Sequence, residues 1–163
     1  MLEQGADQVE QNLATEEGKT TVDEAISLII NSNPELKAFW DNSIEEEYEG
    51  SYAENREDLI DIITVVDYII EKYKSNDTEL LSTIFENIEK AFADPNIEAK
   101  ELIVTGILEG IQNACDMEQL DFRGGFDSWL GAKSKKAWDG LVYLHDSNDP
   151  YEVKMERIKT FID

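Results

Sequence analysis

The chain has 163 residues, 41% of them apolar and 31% charged, and its 37 Asp and Glu against 14 Lys and Arg give a formal charge of −23. That length fits one domain around a single core, and the ordinary apolar content argues against disorder. The charge speaks against nucleic acid and anionic lipid as partners, because like charges would meet before any contact could offset their repulsion, and it favours a cationic partner.

Taken in order, residues 1–19 form a polar stretch in which Leu2, Ala6, Val9 and Leu13 share one helical side. This reads as a weakly docked helix or a tail. MLEQGADQVEQ has no basic stretch followed by an apolar one, so no secretion signal is expected. Thr21-x-x-Glu24 is a capping box that opens a helix with Val22, Ala25, Ile26, Ile29 and Ile30 inward. Asn33-Pro34 starts the next, since a proline at the first helical position gives up no hydrogen bond. That helix places Leu36, Phe39, Trp40 and Ile44 inward and runs into the acids 45–49.

Ser51-x-x-Glu54 is a second capping box, predicting a long helix to about Lys74 with a buried stripe of Leu59, Ile62, Ile63, Val66, Ile69, Ile70 and Tyr73. Asn76 or Asp77 then caps a helix through Phe92, and Asp94-Pro95 opens one with apolar residues on several sides, predicting a central position. Gly106 and Gly110 within it would admit a neighbouring helix. A turn at Gly124-Gly125, a short helix with Trp129, a stop at Gly131, a helix from Ser134 to about His145 and a last helix from Asp149-Pro150 complete the chain. All three prolines sit at such starts, and no Asn-Gly or Asp-Gly turn separates alternating apolar runs. The expectation is an all-α single domain spanning 1–163, of six to eight helices.

Residues 121–145 stand apart. Up to Leu120 there are 7 Lys and Arg against 29 Asp and Glu; from Asp121 onward there are 7 against 8. The segment also holds two of three tryptophans and the single histidine. Its motifs do not survive a test of spacing. Between Gly125 and Gly131 lie five residues, and Ala132 intervenes before Lys133, so the phosphate-loop pattern fails. His145-Asp146 lacks the further histidines a metal hydrolase needs. A calcium loop from Asp146 would need glycine where Tyr151 stands. Cys115, beside Asp116, has no positive neighbour to favour a thiolate, and reads as a buried inert thiol. No cofactor is expected. A lone cysteine permits no internal disulfide, which points to the reducing cytoplasm. Asp61 and Asp67 interrupt the longest apolar run, which argues against a membrane span.

The acids carry more. Residues 41–61 contain nine acids and one base, Arg56, with Trp40, Tyr48 and Tyr52 interleaved. Aromatics amid exposed charge have the composition of a binding hot spot, where the rings supply buried area and the charges steer. The candidate partner-binding set is therefore Trp40, Glu45, Glu46, Glu47, Tyr48, Glu49, Tyr52, Glu54, Asp58 and Asp61. Trp40 reads equally as core. Glu54, Asp58 and Asp61 would share a helical face able to bind a divalent cation, which leaves a carboxylate metal enzyme as a further class.

GILEGIQN at 106–113 and FDSWLGAKSKKAWDGL at 126–141 resemble a group of small, acidic bacterial proteins, through Leu108, Glu109, Gln112, Asn113, Trp129, Leu130, Gly131, Lys133, Ser134 and Trp138. Ala132 stands where that pattern would have proline. The resemblance implies a toxin-immunity protein that sequesters a toxin, and it carries over no functional residue. The reading is a cytoplasmic, non-enzymatic inhibitor of a basic protein such as a nuclease toxin domain. The alternative is a helical adaptor or oligomeric subunit.

Overall fold

The computed structural model describes residues 21–93 and 95–162. Helix α1 comprises residues 21–30, and Val22, Ala25, Ile26, Ile29 and Ile30 are all buried, as their three-and-four spacing predicts. Thr21 is already helical, so the position that would cap α1 lies outside the described residues, as do the stripe from Leu2 to Leu13 and the side chain of Asp94. Asn33 opens α2 (Pro34–Tyr48) by accepting the Leu36 N–H at 2.8 Å. Glu49 closes it in the left-handed region at φ 49°, donating its amide to the Glu45 carbonyl.

The long helix expected after Ser51 is broken. Helix α3 is the single turn Tyr52–Asn55, Arg56 is extended at φ −58° and ψ 141°, and α4 (Asp58–Asp61) leads through the helical Ile62 into α5 (Ile63–Lys74). The Ser51 hydroxyl donates back to the Tyr48 carbonyl at 2.7 Å instead of capping forward. The break is held by Arg56, whose guanidinium pairs with both Asp58 and Asp23 of α1. Helix α6 (Leu81–Phe92) likewise starts later than Asn76 or Asp77 suggests, because Asn76 takes φ 58° and a turn joins Thr78 to Leu81.

A continuous rod follows: α7 (Ile97–Glu101), the π-helical segment Leu102–Leu108, and α8 (Glu109–Met117). Asn96 caps it, accepting the Ala99 N–H at 3.0 Å. The rod packs against α4, α5 and α6 on one side, and against α9 (Ala132–Asp146) and α10 (Tyr151–Ile162) on the other. Ile103, Val104, Ile107, Leu108 and Ile111 are fully buried, so the central position holds. The glycines do what their spacing predicts. A Cβ on Gly106 would lie 2.7 Å from the Ile62 side chain, and one on Gly110 would lie 3.1 Å from Val66.

Ahead of α9, consecutive turns over residues 123–129 replace the expected short helix. They carry aromatic packing: Phe126 stacks on Tyr73 at 4.4 Å and lies 5.4 Å from Trp138, while Trp129 stacks on Phe85 at 6.1 Å. Trp138 is fully buried and Trp129 half-buried, so residues 121–145 pack the core as expected. In α10 Ile158 and Ile162 are buried, while Tyr151 and Val153 are exposed. The fold is all-α. Counting α4–α5 and the rod as single units gives eight helices, with no strand among the described residues.

Candidate functional site

The break at Arg56 divides the ten candidate residues into three sets. Glu45, Glu46, Glu47, Glu49 and Glu54 are exposed and stand on or beside the C-terminal end of α2 and on α3. A second set holds this corner together. Asp61 is buried: it accepts the Tyr48 hydroxyl at 2.5 Å and the Glu57 amide at 3.0 Å. The bond to Asp61 pushes the Tyr48 phenol up to about 12. Asp58 is half-buried and accepts two N–H groups of Arg56, at 2.6 and 3.1 Å. Burial opposes the charge of Arg56, yet its bonds to Asp58 and Asp23 outweigh that and raise its pKa. Tyr52 lies edge-on to Tyr48 at 5.3 Å with the Arg56 guanidinium 5.4 Å from its ring, and burial raises its pKa.

Trp40 forms the third set alone. It is 4% exposed and part of the core, so the surface role is withdrawn for it. Position 40 follows Leu36 by four residues on the inward face of α2, which packs on α5. Asp61 is corrected in the same way, since its oxygens are spent on Tyr48 and Glu57. Glu54, Asp58 and Asp61 do not share one helix, and no group of three His, Cys, Asp or Glu side chains converges as metal ligands among the described residues.

The structure supplies what the candidate set lacked. Between α2 and α4–α5 runs a groove of about 380 Å³. Its walls include Ile44, Ile60 and Ile63, and Glu46, Glu47 and Asp67 line it as well. Ile60 is 55% exposed, Ile63 47% and the neighbouring Leu59 58%. Leu59 and Ile63 were expected inside. Ile62, Val65, Val66, Ile69 and Ile70 fill the buried face without them, which leaves Leu59, Ile60 and Ile63 as surplus apolar surface. That surplus was the available signal: five apolar residues fall within 59–65, more than one helical face can bury.

Fold and groove together define an all-helical protein with an acid-lined cleft, edged by three isoleucines, on one face. The chain belongs to a family described as a domain of unknown function, DUF7674, whose profile matches residues 26–145. No curated protein and no solved structure matches it. The matched span includes the whole groove and the segment 121–145, and leaves α10 outside.

Proposed function

We propose that this chain is a non-enzymatic inhibitor of the bacterial immunity or antitoxin kind, acting in the cytoplasm. Its α2/α4–α5 groove would hold a basic protein such as a nuclease toxin domain and cover that protein's substrate surface. The observation that carries this reading is the pairing of half-exposed Ile60 and Ile63 with Glu46, Glu47 and Asp67 in one groove. Covering the two isoleucines would contribute about 1 kcal/mol each, since half of each side chain is already out of water. The carboxylates stand in for the phosphates a nuclease would otherwise meet, and they steer a cationic surface in from a distance. Glu45, Glu49 and Glu54 extend the negative field beyond the groove, while the Tyr48–Asp61 hydrogen bond ties α2 to α4 beside it.

No helix among the described residues is long and apolar enough to cross a membrane. The alternative, a helical adaptor or oligomeric subunit, would use the N-terminal stripe of Leu2, Ala6, Val9 and Leu13, which lies outside the described residues.

The test uses the partner co-purified from the native cell. Ile60→Ser with Ile63→Ser should speed dissociation, and Glu46→Lys with Glu47→Lys should slow association, each weakening affinity at least tenfold. Affinity unchanged by both pairs removes the groove reading.

A further inference from the structure

Where the rod meets α9 and α10 lies a second cavity of about 300 Å³. That is at the small end of ligand pockets, which run from about 300 to 1,000 Å³. Leu141, Leu144 and Ile158 give it an apolar floor, and its polar lining includes Glu109, Asn113, His145 and Lys154.

Glu109 is delivered there by the backbone. The π-helical segment Leu102–Leu108 ends where the Glu109 amide donates to the Val104 carbonyl, five residues back. Wide turns of this kind are rare in helices and recur at functional sites. After the segment, Glu109 and Asn113 share a face four residues apart and line the cavity, while Ile111 and Cys115 remain in the core. The wall is held: Gln112, 1% exposed, donates to the Trp138 carbonyl at 3.1 Å and ties the rod to α9.

Among the described residues neither Glu109 nor Lys154 has an ion-pair partner, although both line the same cavity. Burial without a partner pushes the Glu109 carboxyl above its ordinary pKa. A ligand bearing a cation near Glu109, an anion near Lys154 and an apolar body over the floor would satisfy all three walls. An anion would be repelled by a chain of charge −23 and a plain cation would leave Lys154 unmet, whereas a zwitterion incurs neither cost.

We propose that this cavity binds a free apolar α-amino acid, its ammonium on Glu109, its carboxylate on Lys154 and its side chain against Leu141, Leu144 and Ile158.

The experiment is isothermal titration calorimetry of the full chain with leucine, isoleucine, valine, methionine and phenylalanine, and with the N-acetyl and amide forms of whichever binds. At least one free amino acid should bind with Kd below about 1 mM. Both blocked forms, which mimic the ends of a peptide, should bind at least tenfold more weakly, as should the free amino acid to Glu109→Gln and to Lys154→Met. The blocked-form comparison needs no variant and so stands even where a variant folds poorly. No amino acid binding below that limit, blocked forms binding as well as free ones, or both folded variants retaining full affinity would each overturn the proposal.

Discussion

Glu89 caps a helix it does not belong to. Helix α9 begins after Gly131, which has no side chain to offer, and the Glu89 carboxylate on α6 accepts the amides of Lys133 and Ser134 at 2.8 Å each and the Ser134 hydroxyl at 2.5 Å. An anion at a helix N-terminus meets free N–H groups and the positive end of the dipole. Glu89→Ala should therefore lower stability by about 1–2 kcal/mol in urea denaturation. Burial alone would raise the Glu89 pKa, but the donors from Ser134 and Lys133 outweigh it and hold it below the ordinary value. Its contribution is accordingly complete above the free-chain carboxylate pKa of about 4.3 and is lost as pH falls through the lower folded value. Glu89→Gln should flatten that part of the acid limb, which denaturation at a series of pH values would read. A Cβ on Gly131 would fall 2.5 Å from the same carboxyl group, so Gly131→Ala should displace the cap and cost much less in the Glu89→Ala background than in the wild type. None of this was legible in the sequence, where the helix read as starting at Ser134. A capping partner 45 residues away leaves no local spacing to find. For the same reason Asp61 counted as a surface acid: its bond to Tyr48 depends on the fold.

Among the elements, the apolar stripes were readable because burial enforces a period of three and four residues, and α1 follows it, while the rod's apolar residues on several sides marked it as central. Asn33-Pro34 was readable because proline fixes the backbone and asparagine supplies the cap. The break at Arg56 was not, because its cause is a pairing with Asp23 on another helix. That break also moved the candidate site, turning Ile60 and Ile63 outward beside Glu46 and Glu47. The crossing of α4–α5 with the rod gives a graded prediction. Alanine gains about 1 kcal/mol over glycine in a helix. At Gly106, however, a Cβ would sit 2.7 Å from Ile62, and overpacking of that kind costs about 1–3 kcal/mol. Gly106→Ala should therefore destabilise the fold, while Gly110→Ala, with 3.1 Å to Val66, should be near neutral, as paired thermal melts would show.

At the scale of the whole molecule, −23 charges on 163 residues act against the folded state through self-repulsion and act for association with a cation. Salt screens both. The melting temperature of the free chain should rise as salt increases from low to physiological levels, while affinity for a basic partner should fall. The measurement that bears most directly on the groove is the association rate of the co-purified partner across that salt series, for the wild type and for Glu46→Lys with Glu47→Lys. The expected result is a basic partner whose association with the wild type slows steeply as salt rises, and a weaker salt dependence in the variant. Association independent of salt, or equally steep in both proteins, would contradict it.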